Sequence, residues 1–143
     1  MKFKELRLSE ALLDGLDAMG FEKATPIQEQ AIPPILEGKD LIACAQTGTG
    51  KTAAFGLPIL HKIDTTNDVV QALILSPTRE LVQQIKKQLF KFTKHTENRI
   101  FCEGVYGGEK IDKQIKNLQR TTHVIVATPG RLIDLIERGE VNL

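Results

Sequence analysis

The chain has 143 residues, enough for one buried core, and its hydrophobic and charged fractions, 41% and 26%, are those of an ordinary globular protein. A formal net charge of +1 excludes a global basic field, so any nucleic-acid contact must rest on local geometry. Cys44 and Cys102 lie far apart and His61, His95 and His123 stand at no ligand spacing to either, which argues against a zinc site and for two buried, reduced thiols. No apolar run is long enough to cross a bilayer, and Met1-Lys2-Phe3-Lys4 leads into charged residues instead of a signal-peptide core, so a cytoplasmic protein is expected.

The first forty residues read as helical. Ser9 is an N-cap for Glu10–Met19, where Leu12, Leu13 and Leu16 form an apolar stripe and Gly20 is the stop. Thr25-Pro26 opens a second helix to about Leu36, since proline at the first helical position forgoes no hydrogen bond. Gly38-Lys39-Asp40 turns the chain into a predicted strand, Leu41–Cys44, followed by a Gly-rich loop and a helix to about His61. Ala72–Leu75 is the next strand, then Ser76-Pro77-Thr78 and a helix through about Phe92. Ile100–Val105, Gly107-Gly108 and a charged helix Glu109–Leu118 follow, then a strand His123–Ala127, Thr128-Pro129-Gly130-Arg131 and a helix to about Arg138. Continuous apolar runs alternating with helices predict an α/β fold, a parallel sheet flanked by helices on both faces. No repeat, low-complexity segment or linker interrupts it.

Ala45-Gln46-Thr47-Gly48-Thr49-Gly50-Lys51-Thr52 stands between a predicted strand and a helix, the setting in which a P-loop makes physical sense. Gly48 and Gly50 let the backbone approach an anion, while the loop N–H groups and the positive end of the helix dipole cradle phosphate oxygens. Lys51 supplies a mobile charge for the β- and γ-phosphates, and the Thr52 hydroxyl is placed to ligate Mg²⁺. The usual pattern opens with Gly and this one with Ala45, so it is a variant of the motif.

In an open parallel sheet, ligands bind beyond the carboxyl ends of the strands, and the unusual clusters fall there. Ser76-Pro77-Thr78-Arg79 and Thr128-Pro129-Gly130-Arg131 each join a hydroxyl, a helix start and an arginine, a donor set suited to an anion. Gly107-Gly108 adds a backbone that can be approached closely. Singly, each reads as an ordinary cap or turn; together they suggest a ligand carrying a string of phosphates, hence nucleic acid held by its backbone. Earlier in the chain, Phe21 can stack on a base and the Gln28 amide can pair bidentately with adenine. A Phe after Gly is usually core and a helical Gln usually solvated, so spacing alone does not select that role.

As a set these segments resemble the first RecA-like domain of DEAD-box RNA helicases, in superfamily 2. Gly20-Phe21 with Ala24-Thr25-Pro26-Ile27-Gln28 resembles the Q motif, and Ala45–Thr52 resembles motif I, in which alanine at the first place is the usual family form. Pro77-Thr78-Arg79-Glu80-Leu81 resembles motif Ia, Gly107-Gly108 the GG element, and Thr128-Pro129-Gly130-Arg131 motif Ib. The resemblance implies one partial RecA-like domain over residues 1–143, with a helical Q-motif region, 1–38, and an α/β P-loop core, 39–143. It implies ATP and Mg²⁺ as cofactors. Phe21, Thr25 and Gln28 would serve adenine. Gln46, Thr47, Gly48, Thr49, Gly50, Lys51 and Thr52 would hold the phosphates, with Lys51 and Thr52 catalytic and Thr52 on the metal. Pro77, Thr78, Arg79, Gly107, Gly108, Thr128, Pro129, Gly130 and Arg131 would line a track for the backbone of single-stranded or short duplex RNA.

No Asp-Glu-x-Asp and no Ser-Ala-Thr occurs in the chain. The family's acidic motif would follow Leu143, so the sequence reads as a fragment that binds nucleotide weakly, hydrolyses little and leaves a sheet edge or apolar surface open. Other readings stay open: a DNA helicase of the same superfamily, or a non-catalytic nucleotide- or RNA-binding module. A GTPase would carry Asn-Lys-x-Asp, which is absent, and a kinase would need a lid and acceptor site for which the sequence offers no candidate.

Overall fold

A computed structural model describes residues 1–46, 48 and 50–143. The chain divides into two compact units, Met1–Lys62 with Gln88–Glu97, and Ile63–Lys87 with Asn98–Leu143.

The first unit is helical. A 3-10 turn, Phe3–Leu6, which the sequence pattern does not announce, precedes α1 (Glu10–Ala18), α2 (Pro26–Leu36) and α3 (Lys51–Lys62). The Leu12 N–H donates to Ser9 Oγ at 3.4 Å, so Ser9 is the N-cap. α1 buries Leu12 and Leu16, α2 buries Ala31 and Ile32, and α3 buries Ala53, Ala54, Leu57 and Leu60. At Gly15 a Cβ would come within 2.9 Å of the Phe92 carbonyl oxygen, so α1 packs there only as glycine.

Leu41–Cys44 departs from the expectation. It forms no strand, and Ile42 is 96% exposed. A strand exists through its ladder, and among the described residues this run has no partner to supply one. Apolar composition gives the tendency without the neighbour. The same exposure reaches Cys44, which is therefore not the buried thiol predicted.

The second unit holds the sheet. β1 (Ala72–Leu75), β2 (Cys102–Val105) and β3 (Val124–Ala127) lie in the order β1-β3-β2, all parallel, with Ala72 and Cys102 both opposite Val124. α4 (Arg79–Phe92) and α5 (Ile111–Leu118) make the crossovers, α4 passing into the helical unit at Gln88; α6 (Pro129–Glu137) follows β3. β3 is buried throughout, and Val105, Ile125, Ala127, Leu132, Leu135 and Val141 form the core. β1, an edge strand, leaves Leu73 and Leu75 exposed, an open apolar surface of the kind the sequence reading expects. Two bonds carry the ladder past the strand ends: Ser76 N–H donates to Ala127 O and Thr128 N–H to Val105 O, each at 2.9 Å. They fix where two functional segments begin. His123 is buried and structural, its Nδ1 accepting from the Phe101 N–H at 3.0 Å. Among the described residues no helix is long and apolar enough to cross a membrane.

The two thiols differ in environment. Burial pushes the Cys102 thiol up to about 11, so it stays protonated and unreactive at neutral pH, whereas Cys44 is exposed. A thiol reagent at pH 8 is expected to modify Cys44 in the native chain and leave Cys102 until the protein is unfolded or the pH approaches 11. Equal native rates at pH 8 would contradict the part-buried position of Cys102 in β2.

Candidate functional site

In the helical unit, the Gly-rich loop is fastened to the start of α2. Gly50 has φ +84°, and its carbonyl takes two hydrogen bonds: one from the Ala54 N–H at 3.2 Å, the first of α3, and one from Gln28 Nε2 at 3.1 Å. Gln28 Oε1 accepts in turn from the Thr25 N–H at 2.9 Å. Thr-x-x-Gln is the spacing of a capping box, and the third helical position brings the amide back to the cap. Gln28 is only 5% exposed, yet both ends of its amide are partnered. A Cβ at Gly50 would overlap the Gln28 amide nitrogen and lie 3.3 Å from Thr25 Oγ1, a buried hydroxyl with no hydrogen-bond partner among the described residues. Glycine is required at that position both by its backbone angle and by this contact.

Lys51 is the first residue of α3 and exposed; Thr52 follows, partly buried. Gln46 and Gly48 are exposed, Gly48 with φ +83°. Thr47 and Thr49 lie outside the described residues. Phe21 is 48% exposed and lines a cleft of about 320 Å³ with Phe3, Leu13 and Asp17; that lining includes neither Gln28 nor the Gly-rich loop. The structure thus joins Thr25, Gln28 and Gly50, and no described contact joins Phe21 to them.

In the sheet unit, Thr78 is the N-cap of α4: its Oγ1 accepts from the Leu81 N–H at 3.2 Å and its carbonyl from the Val82 N–H at 3.1 Å. Pro77, Thr78 and Arg79 are exposed. The Arg79 guanidinium sits 5.2 Å over the Tyr106 ring, and a Cβ at Gly108, where φ is +86°, would come within 3.0 Å of Arg79 Nη1. Arg79 and the glycine pair therefore meet. Gly107 and Gly108 are both exposed.

Thr128 precedes α6, its carbonyl accepting from the Leu132 N–H at 3.2 Å while its hydroxyl makes no capping bond. Pro129 and Gly130 are exposed in the first turn. Arg131 is turned inward: Nη1 and Nη2 each donate to Glu109 O at 3.1 Å, and Nη1 also donates to Gln114 Oε1 at 3.0 Å. The hydrogen bond from Lys113, then that from Gln114, holds the Glu109 carboxyl below its usual 4.5. This depressed group contributes stability above the ordinary carboxylate pKa and loses it as pH falls through its folded value.

The sequence reading did not single out Tyr106, Glu109 or Gln114. Gln114 had a signal: it occupies the apolar stripe of α5 with Ile111, Ile115 and Leu118, where a polar residue must find partners indoors.

One unit is a short parallel sheet in which β1 and β3 run into helix starts, and the other is helical and carries the Gly50–Gln28 contact. A family model described as DEAD/DEAH box helicase matches residues 25–143, and the chain belongs to that family. It is 52% identical over 141 residues to the DEAD-box ATP-dependent RNA helicase CshA of Bacillus cereus, covering 99% of this chain and 26% of that protein. It is 54% identical over 143 residues to the ATP-dependent RNA helicase CshA of Limosilactobacillus reuteri, covering 100% and 28%. The chain thus spans about a quarter of the length of the curated relatives it matches. Among solved structures, a DEAD box protein from the hyperthermophile Methanococcus jannaschii is similar with a TM-score of 0.92 and 39% identity, covering 100% of this chain and 39% of that one. A variant of Saccharomyces cerevisiae Dbp5 bound to RNA and ADP BeF3 is similar with a TM-score of 0.88 and 38% identity, covering 99% and 35%.

The two loop glycines separate strain from contact. Gly48→Ala meets open space and is expected to lose about 1 kcal/mol from its backbone angle alone. Gly50→Ala must also displace Gln28 and is expected to lose about 2–3 kcal/mol in urea unfolding. Equal losses would contradict the Gln28 contact.

Proposed function

We propose that this chain is the nucleotide- and RNA-binding part of a cytoplasmic ATP-dependent RNA helicase, the activity for which its relatives are named. The observation that carries the adenine part is the pinning of Gln28 between the Thr25 N–H and the Gly50 carbonyl. An amide has two donors and two lone pairs, and these bonds use one of each. One donor and one acceptor remain in a fixed orientation, the complement of adenine N7 and its exocyclic amine. Guanine offers two acceptors on the same edge and would set its oxygen against the Gln28 oxygen. Thr25 serves by holding Gln28, and Phe21 by stacking on the base.

In this reading Gln46, Thr47, Gly48, Thr49 and Gly50 form a P-loop whose N–H groups bind the phosphates at the start of α3. Lys51 contributes its charge to the β- and γ-phosphates, and the Thr52 hydroxyl joins the shell of a Mg²⁺ that the nucleotide brings. The fit is to a nucleotide-borne ion: among the described residues no group of three His, Cys, Asp or Glu side chains holds a metal by itself. Such an ion neutralises charge developing on the phosphates during transfer. The RNA backbone is met in the sheet unit by Pro77, Thr78 and Arg79, by Gly107 and Gly108, and by Thr128, Pro129 and Gly130, with Arg131 behind them on Glu109 and Gln114. These contacts reach phosphate and sugar, so they carry affinity without sequence preference.

Titration of the chain with Mg²⁺-ADP and Mg²⁺-GDP is expected to favour ADP by about tenfold or more, the worth of one bidentate pair. Equal binding would leave the P-loop and remove the adenine reading. Arg79→Ala is expected to weaken binding of single-stranded RNA and to flatten its dependence on salt by about 0.7 in log–log slope, one phosphate contact; an unchanged slope would remove Arg79 from the RNA track.

A further inference from the structure

We propose that Gln114 and Arg131 are positioning residues that lock the Gly107-Gly108 loop to the start of α6, so that both backbone segments meet an RNA strand at a fixed spacing. The inference rests on the RNA-binding reading above and assigns Arg131 a different role from a direct phosphate contact.

Gln114 is 2% exposed, on the face of α5 that packs into the core. A buried amide is costly unless its donors and acceptor are matched. Its Nε2 donates to Tyr106 O at 2.8 Å and lies 3.4 Å from Glu109 Oε2, and its Oε1 accepts from Arg131 Nη1 at 3.0 Å. The amide therefore holds the residues on either side of the glycine pair with one end and the first turn of α6 with the other. Arg131 closes the loop a second time, both terminal nitrogens of its fork on the Glu109 carbonyl. Three donor contacts of the guanidinium go to uncharged groups in this lattice, a use of its planar fork that an ammonium cannot reproduce.

Tyr106 extends the lattice to a third segment. Its carbonyl takes the Gln114 bond, its ring lies under the Arg79 guanidinium, and its hydroxyl accepts from Gln83 Nε2 at 3.3 Å. The Arg79, Gly107-Gly108 and Thr128–Arg131 segments, distant in sequence, thus share one hydrogen-bonded frame built on Gln114 and Tyr106. Motion of one segment relative to another would break bonds in a part-buried site, where unmade bonds are expensive.

The test is single-stranded RNA binding by the 143-residue chain and its Gln114→Ala, Arg131→Lys and doubly substituted forms, with thermal melting and Mg²⁺-ADP binding measured on each. Positioning predicts that Gln114→Ala, which removes no charge, and Arg131→Lys, which keeps it, each weaken RNA binding about tenfold or more. The double variant should be no weaker than the worse single one, and ADP affinity should be unchanged. Gln114→Glu, which keeps the acceptor for Arg131 and loses the donor to Tyr106, is expected to fall between and serves if Gln114→Ala does not fold. Arg131→Lys binding RNA like the unsubstituted chain would overturn the proposal in favour of a plain charge role. Additive losses, or losses that merely follow melting and take ADP binding with them, would overturn it in favour of a fold-stability role. Failure of the unsubstituted chain to bind RNA would sink the RNA reading itself, and this inference with it.

Discussion

One side chain sets the terms for the Gly-rich loop. Gln28 is buried, and a buried amide must be matched or it costs more than it contributes. The match it finds joins the N-cap of α2 to the carbonyl that begins α3. Pro26 and Thr25 make this possible locally, since a proline at the first helical position fixes the entry and places the third residue beside the cap. Gly50 makes it possible from the other side by offering no Cβ where the amide lies. The same bonds that satisfy Gln28 leave it one donor and one acceptor in a known orientation, so a structural requirement and the proposed base preference rest on one geometry.

The two arginines in the first turns of α4 and α6 look alike in sequence and are used differently. Arg79 is exposed, stacked on Tyr106 and beside Gly108. Arg131 spends its fork on Glu109 and Gln114. The difference arises from α5, which delivers a buried glutamine to Arg131 and nothing comparable to Arg79. The phosphate track proposed for these segments would rely on backbone N–H groups, a hydroxyl and the exposed Arg79, with Arg131 and Gln114 holding their spacing.

Much of this was legible from residues alone where the signal is local. Ala72–Leu75 was readable to the residue because β-branched and leucine runs between turn signals have few other uses, and Pro26–Leu36 because its cap and first proline are explicit. Elements whose existence depends on a distant partner were not. Leu41–Cys44 has strand composition but no ladder among the described residues, and Cys44 follows its segment into solvent. The inward turn of Arg131 was invisible because its partners lie 17 and 22 positions away. Gln28 was chosen for its chemistry, yet its bond to Gly50, 22 residues on, needs the packing of α2 against α3.

The most direct test of the account is to follow the side-chain amide protons of Gln28 and the backbone amides of Gly48, Gly50, Lys51 and Thr52 by NMR during addition of Mg²⁺-ADP and, separately, Mg²⁺-GDP. The account predicts that both nucleotides shift the loop amides and that ADP alone shifts the Gln28 side chain, with one of its two amide protons already protected in the free chain by Gly50. Loop amides that move with neither nucleotide, or a Gln28 side chain that responds alike to both, would contradict it.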